Sequence, residues 1–189
     1  TNLSIVLRQH KWSVRFVLRA DEVIAILPQG SGIFGISVDI GTTKLALYLV
    51  DLLSGEAVQK VGEMNPQIAY GEDIVSRIAY ATQNPDGRQT LQATLTQTLN
   101  QKIQELCKFA GIKPGQIVDA VIVGNTAMHH LLAGLPVEQL VFAPYVPAVN
   151  QPLDVRASAI GVNLASGAYI HLLPNIAGYV GADHSAVIL

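Results

Sequence analysis

Apolar and polar positions change their period several times along the chain, and each change marks an element. Residues 3 to 27 alternate loosely, and Trp12 to Leu18 and Glu22 to Leu27 predict two strands around a turn at Ala20-Asp21. Pro28-Gln29-Gly30-Ser31-Gly32 concentrates backbone breakers and predicts a boundary. The expected division is a small strand-rich linker or middle-domain segment over 1–32, then a main unit over 33–189. Gly35 to Ile40 is a short β-branched apolar run, expected as a buried strand. Lys44 to Asp51 and Glu56 to Val61 predict two more, giving an antiparallel meander with a turn at Leu53-Ser54-Gly55-Glu56. Ile74, Val75, Ile78 and Ala79 recur at three and four and predict a short helix between Gly71 and Thr82. Leu91, Leu95, Leu99, Ile103 and Leu106 stripe a long helix over 88–110, closed by Gly111. Asp119 to Val123 is expected as a buried strand, followed by a helix over 126–133 that stops at Gly134. Four prolines make 135–152 an irregular connection. Arg156 to Ile160 predicts a short helix, Ala168 to Leu173 a last strand, and Asp183 the start of a final helix. Helix–strand alternation after a meander implies an α/β fold whose late strands extend the sheet in parallel.

Composition narrows the function classes. The 189 residues are 50 % hydrophobic and 14 % charged, which supports a substantial core. A net charge of −2 gives no electrostatic basis for binding nucleic acid or an anionic membrane. No apolar run reaches the ~18 residues that span a bilayer, and the first residues lack a signal-peptide layout. A cytoplasmic setting is expected. The lone Cys107 excludes an internal disulfide and a four-cysteine cluster within this chain. It falls four residues after Ile103 and is expected to pack as a small hydrophobe. His129 and His130 are neighbours on a helix and cannot form an i, i+4 metal pair. With no starting Met, the chain reads as a piece of something longer.

The chemistry concentrates in Asp39-Ile40-Gly41-Thr42-Thr43-Lys44. A carboxylate at a strand end, a glycine and two hydroxyls suit an anion-binding turn, with Gly41 letting a ligand approach the backbone. Asp39 can hold a hydrated Mg²⁺, an ion that prefers oxygen ligands. The plainer alternative is a hairpin whose Asp and Thr side chains only satisfy the turn. Lys44 either adds charge to a phosphate or faces solvent. Gly124-Asn125-Thr126 is a second candidate: a strand end, a glycine and a helix cap present free N–H groups.

DIGTTK at 39 to 44 resembles the first phosphate loop of the actin, sugar-kinase and DnaK-type chaperone superfamily. GADHSA at 181 to 186 resembles the Gly-Asp-x-x-Ala stretch of the glycerol- and xylulose-kinase group, with Asp183 at the position of the base. NPQIAYGEDIVSRI (65 to 78), VIVGNTAMHHLL (121 to 132) and LPNIAGYVGAD (173 to 183) resemble, more specifically, the ATP-dependent reductive activators of corrinoid proteins. The resemblance implies a ribonuclease H-like lobe: a mixed five-stranded sheet with helices on both faces, the last two strands parallel to the first. It implies ATP and Mg²⁺ as cofactors, with Asp39 and Asp183 catalytic and Gly41, Thr42, Thr43, Lys44, Gly124, Asn125 and Thr126 around the phosphates. It implies a corrinoid protein as partner, reduced from Co(II) to Co(I), and leaves a homodimer open. An iron–sulfur (2Fe-2S) ferredoxin-type domain and a second ATPase lobe are expected outside this chain, so the chain by itself is expected to be inactive. A sugar-type kinase, or a nucleotide-sensing module without turnover, are the alternatives. The 65-to-78 stretch reads as a partner-docking edge or cleft wall, or simply as packing of Ile74 and Ile78 with Arg77 capping a loop.

Overall fold

The computed structural model describes residues 3–178 and 181–183. An opening helix α1 (Leu3–Gln9) precedes a hairpin of β1 (Val14–Arg19) and β2 (Glu22–Pro28). The central sheet holds β3 (Phe34–Ile40), β4 (Lys44–Asp51), β5 (Ala57–Met64), β6 (Ile117–Gly124), β7 (Leu153–Arg156) and β8 (Tyr169–Leu172), in the order β5-β4-β3-β6-β8-β7. The meander is antiparallel, and β6 and β8 run parallel to β3 through crossovers, as the alternation implied. Three longer helices follow the meander: α2 (Ile74–Gln83), α3 (Gly87–Ala110) and α4 (Thr126–Ala133).

Register decides which side of the sheet is dry. Ile36, Val38 and Ile40 of β3 lie opposite Leu49, Leu47 and Leu45 of β4, and Ile36 and Val38 beside Ala120 and Ile122 of β6. Strand pleating puts all of them on one face. Against that face α3 lays Leu95, Leu99, Ile103, Leu106 and Cys107, all buried in one cluster. Truncating one such leucine to alanine costs about 2–5 kcal/mol. Lys102 ties α3 to β5 through Glu63 at 2.6 Å. Gly111 and Gly134 close α3 and α4 in the left-handed conformation.

Residues 3–9, to which the loose alternation assigns no element, form a helix. Two expectations are corrected. The sheet has six strands, not five: Leu153–Arg156 adds an antiparallel edge, with Leu153 and Val155 turned to the core side and Asp154 and Arg156 away. Four residues after Pro152 are too short a signal to register as a strand by pattern, and the helical turn expected from Arg156 shrinks to 157–160. Among the described residues, α3 and α4 pack on one face of the sheet, and the expected final helix from Asp183 runs into residues 184–189, outside the described residues. The other face carries Ser37, Asp39, Tyr48 and Asp119, all exposed.

The hairpin forms its own two-stranded sheet, yet Ile24, Ala25 and Leu27 join the main core. Glu22 pairs with Arg156 and accepts from the Tyr169 hydroxyl, while Arg19 reaches Asp154 at 2.9 Å and stacks over the Tyr169 ring. These contacts fasten the hairpin to β7 and β8.

Candidate functional site

β3 and β6 are neighbouring parallel strands, so their carboxyl ends open on the same side, where ligands of open α/β sheets bind. Asp39 stands one residue from the end of β3 and Gly124 ends β6. The two ends approach closely: a Cβ on Gly124 would lie 2.8 Å from the carbonyl of Ile40. A Cβ on Gly181 would collide with the Asn125 Cα and the Gly124 carbonyl. Glycine at 181 thus lets the 181–183 segment lie on the second loop and brings Asp183 toward Asp39. The Asp39 carboxyl is held above the usual carboxylate range, first by loss of surrounding water and then by the Asp183 charge.

The 41–44 turn is built to a single shape. Gly41 N–H donates to the Lys44 carbonyl at 2.9 Å, and a Cβ on Gly41 would sit 2.7 Å from that oxygen. The Gly41 carbonyl accepts from Asn65 Nδ2 at 2.8 Å, the Thr42 carbonyl from Arg77 Nη2 at 2.6 Å, and the Thr43 carbonyl from Asn65 N–H at 2.8 Å. Among the described residues the Asp39 carboxylate accepts no hydrogen bond, so it does not serve the hairpin as a turn cap.

Asn125 joins the two loops. Its Oδ1 caps α4 by accepting from Met128 N–H at 3.0 Å, and its Nδ2 donates to Thr42 Oγ1 at 3.0 Å. The structure therefore brings Asp39, Thr42, Asn125 and Asp183 together, with Gly41, Thr43 and Gly124 as their backbone frame. Lys44 is exposed on the Asp39 side of β4 and makes no ion pair among the described residues. Thr126 is fully buried and its hydroxyl donates to the Ala177 carbonyl at 2.7 Å, which leaves its backbone N–H, the group expected to face a ligand. Asn65 is a contributor that pattern reading did not assign, and Arg77 caps a loop, as one reading of the 65-to-78 stretch had it. Their signal was the 65-to-78 string, where Gln67 Nε2 also donates to the Leu91 carbonyl at 2.9 Å and fixes the segment to α3.

Two carboxylates at a strand end, with hydroxyl and amide donors beside them, fit a hard divalent cation that keeps most of its waters. No group of three or more His, Cys, Asp or Glu side chains that could hold a metal ion occurs among the described residues.

The chain belongs to the RACo middle region family, whose profile matches residues 34–189. The chain is 31 % identical over 176 residues to the corrinoid activation enzyme RamQ of Eubacterium limosum, covering 92 % of this chain and 30 % of that protein. It is also similar to the solved structure of a reductive activator for corrinoid, iron-sulfur protein: TM-score 0.85, 33 % identity, all of this chain and 31 % of that one. The chain thus spans about a third of the length of the relatives it matches.

Proposed function

We propose that this chain is the first, phosphate-binding lobe of an ATP-dependent reductive activator of a corrinoid protein, with the ribonuclease H-like fold of the actin, sugar-kinase and chaperone superfamily. The observation that carries the proposal is the junction of Asp39, Thr42, Asn125 and Asp183 at the adjoining ends of β3 and β6. The similarity to two named corrinoid activators supports the direction of the chemistry.

In this account Thr42 and Thr43 hold phosphate oxygens through backbone N–H groups and hydroxyls. Asn125 sets the Thr42 hydroxyl. Asp183 orients a water for attack on the γ-phosphorus and accepts its proton, giving ADP and inorganic phosphate. Asp39 and Asp183 would hold a hydrated Mg²⁺, which supplies charge neutralisation for the phosphates. Closure of a second lobe over the nucleotide is the two-state element a partner can sense. A 2Fe-2S cluster in another part of the full-length protein would supply the one electron that each Co(II) needs to become Co(I). Residues 1–32 belong, on this proposal, to a linker or middle segment that precedes the lobe.

Steady-state ATPase of the full-length protein separates the readings. Stimulation by a corrinoid protein is expected. Stimulation by a sugar instead would make it a kinase, and nucleotide binding without turnover would make it a sensing module.

A further inference from the structure

Arg77 is fully buried on α2, and its guanidinium is spent on neutral acceptors. Nε donates to the Gly71 carbonyl at 2.8 Å, Nη2 to the Thr42 carbonyl at 2.6 Å, and Nη1 faces the Met128 sulfur at 3.6 Å. No carboxylate lies within ion-pair distance among the described residues. A buried charge without a counter-ion is costly, and native proteins retain one where something else balances it. Burial lowers its pKa, with the more distant Asp73 opposing, and arginine still keeps its proton.

The peptide plane says where the balance comes from. In a trans peptide the N–H points opposite the preceding carbonyl. The buried side chains of Asn65 and Arg77 draw in the carbonyls of Gly41 and Thr42, and the Asn65 backbone N–H draws in that of Thr43. The N–H groups of Thr42 and Thr43 are therefore turned away from the interior, toward the open end of β3. Successive outward N–H groups are an anion nest, and here a fixed positive charge stands directly behind it.

We propose that Arg77 is a positioning residue and the buried counter-charge for the phosphate bound at residues 41–43, with Asn65 fixing the same loop polarity. This deepens the nucleotide reading of the site and rests on it. The side chain never touches the phosphate; it acts through the Thr42 peptide and through its field.

The test uses the full-length protein and calorimetric titration with MgADP, with inorganic phosphate and with adenosine, plus the melting temperature without ligand. Two neutral variants, Arg77→Met and Arg77→Gln, guard against one failing to fold. The expected result is a roughly tenfold or larger loss of MgADP and phosphate affinity, unchanged adenosine affinity, and a lowered ligand-free melting temperature, since the Gly71 and Thr42 carbonyls lose their donor. Arg77→Lys, which keeps the charge, is expected to lose less. Equal losses for adenosine and MgADP would mean Arg77 only holds the fold, and MgADP affinity within twofold of wild type in a neutral variant would remove the counter-charge; either overturns the proposal. Wild-type protein that binds adenosine but no phosphate-bearing ligand would overturn both this inference and the nucleotide reading beneath it.

Discussion

Asn125 Nδ2 donates to Thr42 Oγ1 at 3.0 Å, joining two loops that lie 83 residues apart in sequence. The same side chain caps α4, so one residue couples a helix start to the 41–44 turn. Asn125→Ala is predicted to cost about 1–2 kcal/mol of stability. A double-mutant cycle with Thr42→Val should return a coupling of about 0.5–1.5 kcal/mol. Denaturant melts of the two single variants and the double measure it; strict additivity would mean the loops are not joined by this bond.

Acid should destabilise the fold through the α4 histidines. His129 is buried with both ring nitrogens unpartnered among the described residues, and burial followed by the neighbouring His130 pushes its pKa down from 6.5 to about 4. His130 is lowered too, mainly by burial, while Nδ1 contacts the Thr126 carbonyl and Nε2 accepts from Ala148 N–H. Below 6.5 the unfolded chain takes up protons that the folded chain refuses. Stability is therefore complete above that pH and falls as pH drops toward 4. For His129 the loss is about 3 kcal/mol over that window, at ~1.4 kcal/mol per pKa unit. His129→Leu should flatten the dependence; an unchanged slope in that variant would contradict the assignment.

Gly181 tests the approach of the 181–183 segment to the second loop. Gly181→Ala forces a Cβ into the Asn125 Cα and the Gly124 carbonyl. We predict about 1–3 kcal/mol of destabilisation and a fall in ATPase as Asp183 is pushed from Asp39. Gly115→Ala is the control, because a Cβ there meets nothing within 4 Å; it should leave both quantities unchanged. Equal behaviour of the two variants would show that Gly181 is not needed for close approach.

Asp39→Asn separates catalysis from architecture. The carboxylate accepts no hydrogen bond among the described residues, and the Asp183 charge acts against it. Removing the charge should leave ligand-free stability unchanged or slightly higher, while kcat for ATP falls by roughly two to three orders of magnitude. A stability loss with a normal rate would return Asp39 to the role of a turn residue.

The sequence pattern made the meander, the α3 stripe and both glycine helix stops legible, because each rests on local period or on one residue's conformational preference. It located Asp39, Thr42, Asn125 and Asp183 as candidates. It could not show their convergence, since that depends on β6 adding beside β3 in parallel. β7 escaped because four residues at a sheet edge carry too little alternation. Arg77 as a loop cap, one alternative for the 65-to-78 string, agrees with its bonds to the Gly71 and Thr42 carbonyls; that the side chain is fully buried there depends on tertiary placement, which the pattern does not carry. For Thr126 the pattern could not show where the hydroxyl goes, because a threonine at a helix start has the same signature whether its hydroxyl faces a ligand or the Ala177 carbonyl.

The central claim is that ATP turnover at this site drives cobalt reduction. The most direct measurement is the absorbance of Co(I) in a Co(II) corrinoid protein mixed anaerobically with the reduced full-length protein. We predict that Co(I) accumulates with MgATP, and not with a non-hydrolysable analogue or with the Asp39→Asn variant. Equal Co(I) formation with and without MgATP, or in the variant, would contradict it.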